Sequence, residues 1–161
     1  GRTVACHRTF LAPRPGGRWG KADLRAAKTV LGAMRGGFIP LHRGRSGRPM
    51  GEAPADDVLA IAEGIEDALT LALHCPEWRI VAAVSLGNMA ALELPERFAD
   101  IVLVFDRDGE NTMAARAREA AVDTLLRQGR AVRELRPPEG FKDFNAWHMA
   151  ELAGQQGGRR A

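Results

Sequence analysis

Residues 58–74 read VLAIAEGIEDALTLALH, and this stretch decides the fold. Its first five residues are all apolar, as a strand buried on both faces of a parallel sheet requires. A Glu-Gly pair at 63–64 ends the apolar run, and residues 65–74 then carry apolar side chains at helical spacing. The stretch therefore predicts a buried strand, a tight turn and an amphipathic helix.

The same unit repeats along the rest of the chain. Further predicted strands occupy residues 80–84, 101–105 and 131–135, and residues 112–127 carry a helical pattern. Strands that alternate with helices are typical of a mainly parallel sheet with helices on its faces. We therefore predict an α/β fold with a mainly parallel four-stranded sheet. The predicted divisions are a basic N-terminal extension of short strands and loops (1–57), the α/β domain (58–152) and a flexible tail (153–161).

Positive charge is concentrated at the start of the chain. The formal net charge is only +3, yet residues 1–50 contain eleven Arg and Lys side chains and a single acid, Asp23. Such a block attracts polyanions through its summed field and can neutralise phosphates. A solvated basic surface without a ligand is the alternative reading of the same composition.

Acids and amides follow the predicted strands. Glu63 ends the first run, Asp106 and Asp108 follow the third, and Asp143 and Asn145 lie in the segment after the fourth. Because parallel strands end at one edge of a sheet, we expect these side chains to lie near one another. Their oxygen atoms suit Mg²⁺ or Mn²⁺. Each motif alone also fits turn or helix-capping chemistry, so the indication of a metal site comes from their combination.

Together these motifs resemble the Toprim superfamily, which includes bacterial primases, topoisomerases, some repair nucleases and recombination mediators. The family pattern is a strand ending in Glu-Gly, a strand ending in a small-residue loop and a strand ending in Asp-x-Asp. Here these motifs fall at residues 61–68, 84–87 and 104–108. The Lys-Asp-Phe-Asn segment at 142–145 resembles a later acidic segment of primase-like members. The closest likeness is to the primase-type Toprim domains of plasmid, phage and mobile-element proteins.

The resemblance implies metal-dependent nucleotidyl or phosphoryl transfer on nucleic acid, most specifically DNA primase activity that makes RNA primers on single-stranded DNA. It implies that Glu63, Asp106 and Asp108 are catalytic and bind Mg²⁺ or Mn²⁺ together with Asp143 and Asn145. Glu63 is then either a metal ligand or the general acid/base. The candidate contacts to nucleic-acid or nucleotide phosphates are Arg8, Lys21, Lys28, Arg107 and Lys142.

Two other functions fit the same residues, namely a Toprim nuclease and a non-catalytic module that binds nucleic acid or recruits partners. The chain has no tyrosine, so it lacks the nucleophile of a complete topoisomerase. It also lacks a Gly-Lys-Ser/Thr phosphate-binding motif, so we expect any helicase or zinc-binding domain to lie elsewhere in a longer parent protein. No apolar run approaches the ~20 residues of a membrane helix, and we expect a cytoplasmic protein without a membrane partner.

Overall fold

Short strands and helices make up the chain from Ala5 onwards. The computed structural model describes residues 2–107 and 112–158, with the backbone alone for 156–158. The N-terminal extension contains β1 (Ala5–Thr9), β2 (Leu11–Arg14), β3 (Arg18–Lys21) and β4 (Lys28–Gly32). The next elements are β5 (Ile39–Arg43), a 3₁₀ turn (Met50–Glu52), β6 (Leu59–Ala62), α1 (Ile65–His74), β7 (Arg79–Ala82) and α2 (Leu86–Met89). The last are β8 (Asp100–Val104), α3 (Thr112–Arg127), β9 (Ala131–Leu135) and α4 (Phe144–Gly158).

The central sheet has the strand order β5-β7-β6-β8-β9. The four strands predicted from the apolar runs, β6 to β9, are parallel, which confirms the predicted fold class. A fifth strand, β5, pairs antiparallel with β7 at one edge and comes from the segment assigned to the N-terminal extension. This edge strand lacks the long apolar run of its neighbours, because it has only one strand partner. The domain boundary placed at residue 57 stays a prediction.

Helices cover both faces of the central sheet. Leu59 and Ile61 of β6 pack into a core with side chains of α2 and α3, whereas Ala60 and Ala62 pack on the opposite face with α1 and the first residue of α4. Every residue of β6 is buried, which explains why its sequence does not alternate between apolar and polar side chains.

The N-terminal extension forms two small antiparallel pairs. Strands β1 and β4 make what we call the N-terminal ribbon, and strands β2 and β3 make a hairpin that continues directly from it. The ribbon is attached to α1 by an ion pair in which Lys28 Nζ lies 2.8 Å from Glu66 Oε1. A second attachment follows the ribbon, where the buried side chain of Asn88 bonds the backbone of Gly36 and Gly37.

The final helix is longer than the sequence analysis predicted. Its backbone remains helical to Gly158, so residues 153–158 of the predicted tail belong to α4. Ala153, Gln155 and Gln156 are good helix formers, and their composition agrees with a helix that continues past residue 152. Among the described residues, no helix has the length and apolar composition needed to cross a membrane.

Candidate active site

The strand ends that carry acidic residues meet at one edge of the sheet. Strands β6 and β8 are parallel neighbours, and Ala62 pairs with Val104 at their carboxyl ends. Glu63 follows Ala62 directly, and Asp106 lies two residues beyond Val104. Neighbouring strands lie about 4.8 Å apart, so these two acids start from adjacent positions on the same edge. Both are half-buried, and both interact with neighbouring groups.

Asp67 lies at the centre of the site, although the sequence analysis did not assign it. It is in the first turn of α1, where its side chain is hydrogen-bonded to that of Asp106. Its Oδ1 accepts a hydrogen bond from the backbone N–H of Asn145 at 2.9 Å. Asp67 is only 6% exposed. One side chain therefore connects the loop after β8 with the start of α4.

Burial raises the pKa of the Asp67 carboxyl above its usual range, and the negative charge of Asp143 acts in the same direction. Hydrogen bonds from the backbone N–H groups of Asn145 and Phe144, and the bond to Asp106, oppose this rise in the pKa without cancelling it. The Asp67 carboxyl is therefore partly desolvated, bonded to Asp106 and subject to the negative charge of Asp143. A cation at this edge would relieve their repulsion.

Asp143 has a structural role as well as its proximity to Asp67. It immediately precedes α4, and its Oδ1 accepts a hydrogen bond from the backbone N–H of Ala146 at 2.7 Å, as an N-cap residue does. This bond fixes the start of α4 and places the Asp143 charge near Asp67. The side chain of Asn145 is half-buried, and its predicted role as a metal ligand stays a prediction.

Arg107 connects the loop after β8 to the loop before α4. Its backbone N–H donates to the carbonyl oxygen of Lys142 at 2.7 Å, and its Nε donates to the carbonyl oxygen of Pro137 at 2.8 Å. These bonds hold Asp106 and Asp143 close together, because each acid is adjacent in sequence to a bonded residue. Arg107 and Lys142 are both exposed, as contacts to a phosphate require.

The other predicted phosphate contacts lie in the N-terminal extension. Lys28 forms the ion pair with Glu66, three residues after Glu63. Arg8 is exposed, with its guanidinium carbon 5.9 Å from the centre of the Phe10 ring. Lys21 is exposed at the end of the hairpin. Lys28 thus contacts the helix that carries Asp67, and the assignments of all three residues stay predictions.

Asp108, the second acid of the Asp-x-Asp motif, lies outside the described residues. Asp67 could have been recognised from the sequence, because it is four residues before Leu71 and therefore shares the buried stripe of α1. An acid on an apolar stripe has to be satisfied by specific partners. In the sequence alone, Asp67 is one of several polar residues within the motif at 61–68.

The donor atoms at this edge fit a divalent cation in chemical type. They are carboxylate oxygens, which Mg²⁺ and Mn²⁺ prefer. Within residues 2–107 and 112–158, no three acidic, histidine or cysteine side chains lie close enough to hold a metal ion by themselves. Mg²⁺ usually binds through one or two protein carboxylates and completes its shell with water and phosphate. The pair formed by Asp67 and Asp106 meets that requirement.

A cleft of about 930 Å³ lies between the N-terminal ribbon and the loop after β7. Its charged lining comprises Arg2, Arg35 and Glu93, and Val84 forms part of its wall. Val84 has a φ of 71°, a backbone conformation that β-branched residues rarely adopt. Because Val84 follows β7, the neighbour of β6, the cleft lies at the same edge of the sheet as Glu63.

The chain is similar to a known domain family and to a solved structure. The family model described as "Toprim domain" matches residues 58–154, which is more than half of the chain. Among solved structures, the crystal structure of a DNA primase domain from Pseudomonas aeruginosa is similar, with a TM-score of 0.44 and 16% sequence identity. The similarity covers 88% of this chain and 52% of that chain, so this chain spans about half of that structure. No curated protein matches the chain. The match over residues 58–154 shows that the chain belongs to the Toprim domain family.

Proposed function

We propose that this chain is the nucleotidyl-transfer domain of a DNA primase, which joins nucleotides into an RNA primer on a single-stranded DNA template. The observation that carries the proposal is that acids follow neighbouring strands at one sheet edge, where Asp67 is hydrogen-bonded to Asp106 and is affected by the charge of Asp143. Membership of the Toprim family supports phosphoryl-transfer chemistry. The basic extension supports a polyanionic template.

The chemistry requires negative charge on the reacting phosphate to be neutralised and the reacting groups to be aligned. A divalent ion, Mg²⁺ or Mn²⁺, supplies positive charge to the attacking and leaving oxygens when it is bound. Asp106 and Asp67 are the residues that would hold it, and Asp108 remains the predicted partner of Asp106. The backbone N–H of Asn145 donates a hydrogen bond to the Asp67 carboxylate and so fixes its orientation. Hydrogen bonds to metal-binding side chains commonly orient them in this way.

Glu63 has two candidate roles, as a ligand or as the group that accepts the proton of the attacking hydroxyl. The variant Glu63→Gln separates them. Loss of a ligand weakens Mn²⁺ binding, whereas loss of a general base leaves Mn²⁺ binding intact and changes the dependence of the rate on pH.

Arg and Lys side chains would hold the nucleic-acid phosphates, and such contacts do not depend on the base sequence. Arg107 and Lys142 lie beside the acids of the site, and Lys28 contacts the first turn of α1. Arg8 and Lys21 extend the basic surface along the ribbon and the hairpin. The N-terminal end of α1 also lies at this edge, and the positive end of a helix dipole favours anions.

The test is primer synthesis on single-stranded DNA with nucleotides and Mg²⁺ or Mn²⁺, in the parent protein if the chain is part of a longer one. Asp106→Asn should lower the rate by at least about a hundredfold, because it removes a ligand of the ion that would neutralise charge in the transition state. The matched control is Asp123→Asn, which neutralises an exposed acid on α3. Equal primer synthesis by the wild type and Asp106→Asn would refute the proposal.

Two outcomes would favour the other functions. Metal-dependent nicking of plasmid DNA that Asp106→Asn abolishes, without primer synthesis, would identify a nuclease. DNA binding without either activity would identify a non-catalytic module. For the primase we expect action in the cytoplasm, with template and nucleotides as ligands and with zinc-binding or helicase domains of a parent protein as partners.

A further inference from the structure

We propose that the hairpin formed by β2 and β3 is a stacking platform for single-stranded nucleic acid, on which an unpaired base packs against Trp19. This inference rests on the proposed function in taking a single strand as the ligand. It goes further by assigning a binding residue that belongs neither to the acidic edge nor to the predicted phosphate contacts.

The hairpin register defines the face that carries Trp19. Trp19 pairs with Pro13, and Lys21 pairs with Leu11. Cross-strand partners, and residues two apart on one strand, lie on the same face of an antiparallel pair. Leu11, Pro13, Trp19 and Lys21 therefore form one face, which we call the Trp19 face.

The Trp19 face exposes apolar side chains, whereas on the other face the side chain of Arg14 lies over Gly20. Trp19 is 68% exposed and Leu11 is 57% exposed. On the other face the side chain of Arg14 lies so close to Gly20 that an added Cβ there would be 2.9 Å from Arg14 Nε. Arg14 also donates a hydrogen bond to the carbonyl oxygen of Lys21, across the hairpin. A large apolar ring left open on a two-stranded hairpin indicates an interaction surface.

The charge around the hairpin indicates which ligand fits this surface. Arg18 precedes Trp19, and Lys21 follows it by two residues. Both lie in residues 1–50, which contain eleven Arg and Lys side chains and one acidic residue. An anionic ligand with flat apolar groups fits both the exposed ring and the positive charge around it. Single-stranded nucleic acid is such a ligand, because it carries one flat base for each backbone phosphate. Proteins that bind single strands combine basic grooves with aromatic side chains in this way. Bases within a duplex are stacked on each other, so the surface favours a single strand.

The hairpin is also attached close to the candidate active site. The backbone N–H of Phe10 donates to the carbonyl oxygen of Ala27 at 2.8 Å, so β2 continues from the end of the ribbon. At that end Thr9 pairs with Lys28, which contacts Glu66 near the acidic edge. Pro13, the partner of Trp19, is four residues beyond Thr9, or about 14 Å along an extended strand. A strand bound at the acidic edge can therefore reach Trp19 within a few nucleotides.

The experiment measures binding of a fluorescein-labelled oligothymidylate by anisotropy, in EDTA so that catalysis does not contribute. Trp19→Ala should weaken binding by about tenfold, and Trp19→Phe should retain most of the affinity, because stacking needs an aromatic ring. The dependence of affinity on salt should be unchanged in Trp19→Ala. It should decrease in Lys21→Ala by about 0.7 in the logarithmic slope, because that variant loses a phosphate contact.

The matched control is Leu126→Ala, which removes a 51% exposed apolar side chain near the end of α3, at the opposite edge of the sheet. It should bind the oligothymidylate as the wild type does. Thermal unfolding of each variant checks that the fold is retained. Quenching of tryptophan fluorescence by the bound oligothymidylate is a second readout. The chain has three tryptophans, so the difference in quenching between the wild type and Trp19→Phe gives the contribution of Trp19.

Unchanged affinity in Trp19→Ala would overturn the inference. One form of this outcome is unchanged affinity together with a shift from dimer to monomer in that variant. The latter result would show that the Trp19 face packs against a second copy of the chain. Failure of the proposed function can be distinguished from failure of this inference. A chain that makes no primer can still bind the oligothymidylate, and Trp19→Ala would then still weaken that binding.

Discussion

The backbone N–H of Asn145 donates a hydrogen bond to Oδ1 of Asp67 at 2.9 Å, and this bond joins the start of α4 to the first turn of α1. The two residues are 78 positions apart in the chain. A second bond, from the N–H of Arg107 to the carbonyl oxygen of Lys142, joins the neighbouring loops at 2.7 Å. The acids of the candidate active site are therefore held in place by backbone groups that do not depend on a bound ligand.

The raised pKa of Asp67 predicts a pH-dependent stability in the absence of divalent ions. Below the ordinary value of 3.8 its carboxyl is neutral in both folded and unfolded states. As the pH rises through the higher folded-state pKa, the wild type loses stability, because burial and Asp143 disfavour the charged form. Asp67→Asn should therefore unfold at a higher temperature than the wild type at neutral pH in EDTA, with no difference in acid.

Divalent ions should reverse that difference. Mg²⁺ stabilises a folded state that binds it, so its addition at neutral pH should raise the unfolding temperature of the wild type more than that of Asp67→Asn. Thermal unfolding with and without Mg²⁺ measures both effects. An equal response of the two proteins would contradict the placement of Asp67 in the metal centre.

Glu66 predicts the opposite dependence on pH. Burial alone would raise its pKa, but hydrogen bonding and charge from Lys28 leave the pKa below its ordinary value of 4.5. The ion pair therefore adds stability above that value, and the contribution is lost as the pH falls through the folded-state pKa. Both side chains are about half exposed, so Glu66→Gln should cost less than about 1 kcal/mol at neutral pH. High salt should reduce the difference in urea unfolding, and an effect that grows in acid would contradict the ion pair.

The buried pair of Arg79 and Asp57 should contribute far more to stability. Arg79 Nη2 lies 3.0 Å from Asp57 Oδ2, and the two side chains are 2% and 9% exposed. Asp57→Asn leaves the guanidinium without its counter-charge in the interior, which we expect to cost about 3–5 kcal/mol in urea unfolding. Asp56→Asn is the matched control, since Asp56 is exposed and should change stability little. Arg79 begins β7, at the edge opposite the acids, so Asp57→Asn should leave the activity of the folded fraction unchanged.

Asn88 should hold the segment after the N-terminal ribbon in place. Its Nδ2 donates to the carbonyl oxygens of Gly37 at 2.8 Å and Ala83 at 2.9 Å, and its Oδ1 accepts from the N–H of Gly36 at 2.9 Å. Asn88→Ala leaves these buried backbone groups without their partner and should cost about 1–3 kcal/mol. Limited proteolysis should then cleave after Arg35 faster than in the wild type. Unchanged cleavage and stability would show that these bonds do not hold the segment.

The sequence predicted β6, β7 and β8 well because these strands are buried on both faces. Helix α1 and strand β9 have the predicted bounds, and the strand ends that carry Glu63 and Asp106 meet at one edge as expected. The hairpin and β5 were harder to predict, since short exposed or edge strands leave only a weak pattern in the sequence. The hairpin turn lies at residues 15–17, where Pro15, Gly16 and Gly17 favour a turn.

The candidate site was predictable in its location but not in all of its members. Asp67 was missed because its burial follows from the packing of α4 on α1, which no local pattern reveals. Asn88 follows β7 and lies at the same edge as the acids. Its side-chain amide forms hydrogen bonds to backbone groups through both its oxygen and its nitrogen. The type of residue at a strand end therefore indicates a site, and only the packing decides which side chains belong to it.

The most direct test of the account is a calorimetric titration of the chain with Mn²⁺, compared among the wild type, Asp106→Asn and the control Asp123→Asn. We predict that the wild type and the control bind Mn²⁺ with the same affinity and that Asp106→Asn binds it at least about tenfold more weakly. Equal Mn²⁺ affinity in all three proteins, or no binding by the wild type, would contradict a metal centre at the carboxyl edge of the sheet.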